Sequence, residues 1–582
     1  MLRFLLPCKQ LQLVVAERQA VFRQKELAMS NEESSPAGNG TTIHQSGEMH
    51  AQRSVIGAGF RIVSLFTLLS RVLGLVRDML MASLFGAGPV MDAFSVAFRI
   101  PNLARRLFGE GALTTAYLPV FLREWQSSDE DSQNRLSTAM FLIMAILLII
   151  GLLLLDVLLA AVYFALPIGP DGKLLIQLTV EMLPFAVLTC LMAQLSAVLH
   201  SMHRFGWPAF APVFLNIVWI TIASLVAWLS DDQLVRVHVI ALSVVISGFV
   251  QLGVVGAVVW QAGIRYSANW RRAIPQVREV FRTMMPIIMV TWVVQLNTLF
   301  DSLLAWGLAA PAEPAPSASG FPWPLETGTA SALYFAQRMY QFPLGVFGVA
   351  LATVLFPLLS KHAERGELAQ VGRDLTYGMR LVIAIGVPAS VGLGLLCEPI
   401  AVLFFERGAF TSEDASLTAR CIAAYGAGVW AYIGVSIIQR GFFALGDRKR
   451  PMYVGLVAVG VNVVLNLTLI WNLAGMGLAV ATAIASSFQF IATVWLYQQH
   501  YGLLDLQSLT RTSFKTGLST GVMTVACLAV MAWRQTNDLL TGRFTNLMIP
   551  FAFSIAAYLL VARVLGLREP FDLMSRRMST DA

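Results

Sequence analysis

Charge is scarce in this chain. Only 13% of its 582 residues are Asp, Glu, Lys or Arg, where a soluble globular domain carries about a quarter. That excludes an ordinary soluble fold. Cysteine is scarce too: Cys8, Cys190, Cys397, Cys421 and Cys527 are scattered and no CxxC occurs. A disulfide framework or zinc ribbon is therefore not expected, and small buried thiols are. His200 and His203 flank a helix end beside Arg204 with no further ligand nearby in sequence, so no metal site is read there. The chain shows no nucleophile–base arrangement, no phosphate-binding glycine loop and no metalloprotease helix, so it does not read as an enzyme. The net charge of +7 does not point to nucleic acid, because its Lys and Arg are spread over short loops.

What remains is apolar. Hydrophobic residues make up 57% of the chain and mean hydropathy is +0.68. The apolar runs are near 20 residues long rather than alternating ten-residue strands, which predicts an all-α polytopic membrane protein. About 14 spans are expected, at 55–85, 90–121, 137–165, 174–200, 209–229, 236–262, 281–309, 329–358, 376–405, 415–445, 451–472, 475–499, 514–533 and 546–566. If the start is cytoplasmic, cytoplasmic connections and the end hold twenty Lys and Arg against five on the other side. This positive-inside bias places both termini in the cytoplasm. Residues 1–53 are polar and small-residue-rich and lack a secretory h-region. They read either as a disordered cytoplasmic extension or as a mis-assigned start, with Met29 or Met49 the true one.

The chain also repeats itself. A shift of 239 positions lays the second span on the eighth: Ala93 on Ala332, Arg99 on Arg338, Phe108-Gly109 on Phe347-Gly348, Thr114 on Thr353. Both spans cross in the same direction, so the repeat is parallel. Two pseudo-symmetric six-helix lobes are expected, at 54–265 and 266–500. Two C-terminal helices at 501–567 and a cytoplasmic tail at 568–582 follow. The Pro-rich loop at 311–328 lacks Lys and Arg and reads as a flexible connector between the lobes.

The few charges are concentrated. Ser70–Glu110 holds Arg71, Arg77, Asp78, Asp92, Arg99, Arg105, Arg106 and Glu110. On a helix, Asp92, Ser95, Arg99, Asn102, Arg106 and Glu110 share one face, and Ser70/Arg71, Gly74 and Asp78 form a similar stripe. A charge at the bilayer centre costs about 2.5–3.5 kcal/mol. These residues must therefore line a wet cavity or pair with one another. The eighth span adds Arg338, Gln341, Gly345 and Gly348 on one face, with Gln337 alongside. Arginines outnumber the acids, so the cavity should be cationic and suit a phosphate, which a guanidinium grips with two parallel N–H bonds. Arg77–Asp78 and Arg106–Glu110 read equally as internal pairs tying helices together. Asn297 and Asp301 lie one turn apart, as do Asn462 and Asn466, with Thr482 in the twelfth span. Their oxygens suit Na⁺ or a proton; the plainer reading is interhelical hydrogen bonding. Pro101, Pro184, Pro343, Pro357 and Pro388 interrupt spans and predict bent helices.

Two blocks carry a family resemblance. SRVLGLVRD, FGAG and MDAFSVAFRIPNLARRLFGEGALTTAYLPVF, with YFAQRMYQFPLGVFGVALATVLFPLLS, resemble the MurJ/MviN family within the MATE-like superfamily. The resemblance covers about 54–567. It implies a flippase of lipid II, the polyprenyl-pyrophosphate-linked peptidoglycan precursor, in the bacterial inner membrane, with no bond made or broken. It implies a V-shaped cationic cavity, alternating access, and a groove for the polyprenyl tail on the last two helices. The functional residues it implies are Arg71, Arg77, Asp78, Asp92, Arg105, Arg106, Glu110 and Arg338, with Ser70 and Asn102 on motif positions; Arg99 and Gln341, from the helix faces read above, complete the expected substrate-binding set. It implies a monomer in contact with membrane lipids and working beside cell-wall synthesis proteins. No cofactor is implied beyond coupling to Na⁺ or the membrane potential, with Asn297, Asn462, Asn466, Leu478 and Thr482 on the positions of a family sodium site and Asp301 close by. This chain has Gln337 and Gln341 where members often carry acids. An exporter of another lipid-linked glycan, or of an anionic metabolite, is the alternative.

Overall fold

The computed structural model describes residues 63–572 apart from 64, 110–111, 128, 130, 203, 311–321 and 537–541. The extension at 1–53, Glu110, His203 and the tail after 572 lie outside the described residues. Helix α1 covers 65–85. Helix α2 runs Pro89–Ala104, passes through a π-turn at Arg105–Gly109 and continues as Ala112–Trp125. Then come α3 Ser132–Ala165, α4 Pro170–Ser201, α5 Gly206–Leu229, α6 Gln233–Gln261 and α7 Ile274–Gly307. Helix α8 is Thr329–Pro343, a π-turn at Leu344–Val349, then Ala350–Glu364. Helix α9 is Leu368–Leu395 with a short continuation, Cys397–Phe404, and α10 is Ser412–Gly426 followed by Val429–Ala444. Helices α11 and α12 share the stretch Lys449–Tyr501, broken at Ala474, where φ is 48° and ψ is −137°. Helices α13, Leu506–Thr536, and α14, Arg543–Val564, close the bundle. The described residues contain no β-strand, and the protein is a multi-pass membrane protein.

Most rods begin several residues before the apolar run that announces them. Hydropathy marks the lipid-facing part, whereas the caps lie in the interface: Asp505 Oδ1 accepts from Ser508 N at 3.0 Å, before the apolar part of α13 starts. The two π-turns obey the internal repeat, since Arg105 and Gly109 shifted by 239 fall on Leu344 and Gly348. Each follows a proline, Pro101 or Pro343, so two of the five expected proline bends lie beside single widened turns, while Pro184, Pro357 and Pro388 sit inside continuous helices. The end of the 311–328 connector is not free. Ala310 N donates to Leu325 O at 2.9 Å and Leu325 is buried, because an apolar side chain there has a core to enter.

The packing sets the shape. One apolar core gathers Met81 and Phe85 of α1, Phe94 and Phe98 of α2, Trp219 of α5, Phe335 of α8, Phe405 at the end of α9 and Tyr425 of α10. It joins both halves of the chain at one membrane face. Toward the other face the core divides. Tyr117, Phe121, Met140 and Met284 belong to a core confined to α2–α7, while Leu359, Met379, Phe442 and Tyr497 belong to one confined to α8–α13. A bundle fused at one face and split at the other encloses a space that opens toward the split.

Candidate functional site

That space has a volume of about 2000 Å³. Ser70, Arg71, Arg77 and Asp78 of α1, Asn102, Arg105 and Arg106 of α2, and Arg338 and Gln341 of α8 line its polar part. Among the described residues, five arginines face one carboxylate there. The cavity continues past Pro388 and Leu396 of α9 to Met523 of α13 and Leu547, Phe551, Ile555 and Leu559 of α14, where the wall becomes apolar.

Asp78 is the hub. Its Oδ1 accepts from Arg77 Nε at 3.0 Å and Nη2 at 2.7 Å, and from the Tyr334 hydroxyl at 3.1 Å. Its Oδ2 lies 2.9 Å from Arg338 Nε. Asp78 is 1% exposed and Arg77 5%, while Arg338 reaches the cavity wall. Arg77 also donates to Asn216 Oδ1 at 3.1 Å and lies 4.4 Å from the ring centre of Trp219. Arg338 donates to the Tyr334 hydroxyl at 2.9 Å. The Arg77–Asp78 pair is thus internal, as one of the two sequence readings had it. Arg338 joins it across the two lobes and leaves the triad with a net positive charge.

The other arginines are held more lightly. Arg71 Nη1 donates to Gln341 O at 3.1 Å, and the guanidinium lies against Gly345 inside the α8 π-turn. A Cβ on residue 345 would run into that guanidinium. Gly345→Ala is therefore expected to leave the protein folded, since the long Arg71 side chain can swing away, yet to cut complementation of a flippase-depleted strain at least about tenfold. Normal complementation by well-expressed Gly345→Ala would show that the Arg71 position is unimportant. Arg105 Nε donates to Asn102 Oδ1 at 2.9 Å, and Arg106 Nη1 donates to Gln295 Oε1 at 3.4 Å.

Two members of the expected set do not line this cavity. Asp92 is 2% exposed and lies at the fused face. Its Oδ2 accepts from Gly328 N at 2.7 Å, and its Oδ1 accepts from Ser331 N at 2.7 Å and Ser331 Oγ at 2.5 Å. It therefore caps the N-terminus of α8 from another helix, where a carboxylate meets free N–H groups and the positive end of the helix dipole. Arg99 donates to Gln337 Oε1 at 3.0 Å, and Gln337 donates to the Tyr425 hydroxyl at 3.0 Å. Repeat-related Arg99 and Arg338 thus diverge. Four residues before Arg338 stands Tyr334, which grips it; four before Arg99 stands Ser95, whose hydroxyl is spent on Asp92 O. Helical phase placed Asp92, Arg99, Asn102 and Arg106 on one face, but the π-turn and the neighbouring helices divide that face between three environments. Glu110 lies outside the described residues.

Asn216, Tyr334 and Trp219 complete the triad's shell, and sequence reading passed over them. Asn216 is a lone amide in an apolar helix, and Tyr334 lies one turn before Arg338, so both carried a signal. The polar residues of α7, α11 and α12 do converge. Asn466 Nδ2 donates to Asp301 Oδ1 at 2.6 Å and to Asn462 Oδ1 at 3.0 Å, and Asn462 Nδ2 lies 3.4 Å from Thr482 Oγ1. With the Asn462 amide turned over, its nitrogen instead meets Asp301 Oδ1 at 3.2 Å and Asn297 Oδ1 at 3.0 Å. Either way one buried carboxylate sits among amide and hydroxyl oxygens. Among the described residues, no three His, Cys, Asp or Glu gather where they could hold a metal ion.

Residues 81–536 match the family model described as lipid II flippase MurJ. A probable lipid II flippase MurJ of Vibrio cholerae is 32% identical over 545 residues, 90% of this chain and 98% of its own length. A lipid II flippase MurJ of Burkholderia cenocepacia is 32% identical over 422 residues, 70% of this chain and 76% of its own length. Among solved structures, a lipid II flippase MurJ in an inward closed conformation superposes with a TM-score of 0.69 at 23% identity, covering 88% of this chain and 99% of that one. An inward-facing MATE-family multidrug transporter gives 0.58 at 12% identity, covering 76% and 98%. The match extends over most of the chain and holds the arginine-lined helices α2 and α8; the chain belongs to the MurJ family of lipid II flippases.

Proposed function

We infer that this chain carries lipid II from the cytoplasmic to the outer leaflet of the bacterial inner membrane. The observation that carries the reading is the continuity of one cavity from five arginines to an apolar wall on α13 and α14. A diphosphate headgroup on a long isoprenoid needs both ends: guanidinium forks for the phosphates and a greasy groove for the tail. A soluble anionic metabolite has no use for the second. The surplus of Lys and Arg in the loops at the split face supports a cytoplasmic orientation for that face. The cavity therefore opens inward and the fused face is the outer gate. Rocking of the two lobes against each other, with α7 packed on both, exposes the same cavity to each leaflet in turn. No bond is made or broken. One chain builds the whole cavity, which fits a monomer in contact with membrane lipids.

Within this reading, Asn297, Asp301, Asn462, Asn466 and Thr482 offer a monovalent cation one carboxylate plus neutral oxygens, and so a means of coupling transport to Na⁺ or to the membrane potential. Leaflet accessibility of lipid II, measured after depletion of the host flippase and expression of this chain, tests the function. Replacing Na⁺ and collapsing the potential in the same assay tests the coupling. Arg71→Ala is expected to reduce flipping on the order of 100-fold with normal membrane insertion, since a charge-assisted bidentate contact is lost from the headgroup. A well-inserted wild-type chain that leaves lipid II in the inner leaflet would overturn the assignment.

A further inference from the structure

A second polar pocket lies outside the transport cavity, at the split face, where α9, α13 and the end of α14 meet. Its volume is about 510 Å³, and Arg380, Arg511, Thr512, Lys515, Arg568 and Glu569 line it. Local structure brings these residues together. The chain leaves α14 through Gly566, at φ +66°, with Gly566 N donating to Arg563 O at 3.1 Å and Leu567 N to Ala562 O at 2.8 Å. That glycine-terminated turn reverses the chain and swings Arg568 and Glu569 back across α13. Lys515 Nζ lies 3.8 Å from where a Gly566 Cβ would stand, so the turn and α13 are in contact.

The charges in this pocket do not cancel. Glu569 is 1% exposed and ion-pairs with Arg380, whose Nε donates to Glu569 Oε1 at 2.6 Å. Asp505, the other acid in the wall, caps α13 through Ser508 N at 3.0 Å. Arg511, Lys515 and Arg568 then have no ion-pair or hydrogen-bond partner among the described residues. Arg511 and Lys515 are four residues apart on one helix, a spacing at which like charges repel. Thr512, 4% exposed, lines the same wall, and no described residue bonds its hydroxyl. Three free cations and a free hydroxyl around one recess form a receptor for a phosphate. Directly toward the membrane interior, Ala384, Met523, Tyr558, Ala562 and Leu567 form an apolar cluster. Ala384, Met523 and Tyr558 of that cluster are packed and also wall the transport cavity. Leu518 and Val522, on the same face of α13 as Arg511 and Lys515, are instead 49% and 40% exposed, so an acyl chain would follow the outer, lipid-facing side of α13.

We propose that this pocket binds the phosphate of an anionic phospholipid of the cytoplasmic leaflet, at a site separate from the transport cavity. The pocket lies at the foot of α13 and α14, so an occupied site pins the two helices that wall the apolar end of the cavity. The test uses the purified full-length protein, titrated by calorimetry with dioctanoyl phosphatidylglycerol, dioctanoyl phosphatidylcholine and inorganic phosphate. Binding is the readout, so the result does not depend on whether the chain flips lipid II. Phosphatidylglycerol is expected to bind and phosphatidylcholine not to. Combined R511Q, K515Q and R568Q should weaken phosphatidylglycerol on the order of 100-fold, from three cations near an anionic headgroup. Arg568→Glu alone, at an exposed position after α14, should weaken it about tenfold or more while leaving the gel-filtration profile unchanged. Arg71→Ala in the transport cavity should leave it unaltered. Loss of phosphatidylglycerol binding in Arg71→Ala but not in the triple variant would assign the lipid to the transport cavity and end the proposal. Inorganic phosphate binding as tightly as phosphatidylglycerol, and lost in the triple variant, would make the ligand a free anion and overturn the lipid assignment.

Discussion

Asp78→Asn is expected to abolish lipid II flipping and to destabilise the protein by about 3–5 kcal/mol, the cost of breaking a buried ion pair from one side. Among the described residues Asp78 is the single carboxylate beside the arginines of the cavity, and it ties Arg77 of one lobe and Arg338 of the other to the Tyr334 hydroxyl. Without its charge, two guanidiniums converge on that hydroxyl with nothing between them. A second substitution separates structure from transport. Asp78→Asn combined with Arg338→Gln restores the net charge of the triad, so thermal stability in detergent should recover most of the loss. Flipping should not recover, because Arg338 is the triad member most open to the cavity, its side chain 29% exposed against 6% for Arg77 and 1% for Asp78. Transport by the double variant at the wild-type rate would show that Arg338 serves only to balance Asp78.

Asp92→Ala and Gly328→Val should each release the outer gate. Asp92 accepts three hydrogen bonds from Gly328 and Ser331 at the start of α8, and hydrogen bonds to a charged group contribute about 1.5–3 kcal/mol each. Gly328 holds φ at +90°, a conformation that disfavours β-branched residues, and a Cβ there would meet the Ala87 carbonyl in the α1–α2 turn. The same turn is tied to the far lobe by Ala409 N donating to Ser83 O at 2.8 Å and Ala87 N donating to Asp414 Oδ2 at 3.3 Å. Losing the Asp92 bonds should shift the inward–outward equilibrium by more than about tenfold. A cysteine placed at Ala93, fully buried in the closed gate, reports the shift. Labelling by a membrane-impermeant thiol reagent from outside should rise from near zero toward completion in both variants, and flipping should fall because the inward state is depleted. Labelling that stays at the wild-type level would mean that these contacts do not hold the gate.

Much of this protein was readable before any coordinates, and the reasons differ by residue. The helices followed from apolar runs that no aqueous fold tolerates. The π-turns of α2 and α8 follow the 239-residue repeat because both lobes bend their second helix at the same point. Arg71, Arg77, Arg105, Arg106 and Arg338 could be assigned to a wet interior because lipid forbids the alternative. Helical periodicity states which residues share a face but not what that face meets. Asp92 looked like a cavity residue and is a cap, because the N-terminus of a helix 236 positions later in the chain lies beside it. Arg99 looked like the partner of Arg338 and instead meets Gln337 and Tyr425. Asn216 gave little sign of its role until α5 was seen to pass Ser70 and Arg77.

The amino-acid sequence by itself determined that the chain spans a membrane as helices in two related halves, and that its few charges are hidden from lipid. Both conclusions rest on solvation energies large enough to override local detail. Tertiary structure alone decided which arginines line the cavity, which acid caps α8 at the fused face, and that Arg380, Arg511 and Arg568 meet in one recess. Those outcomes depend on contacts between segments distant in the chain, where a few ångströms separate a neutralised guanidinium from an exposed one.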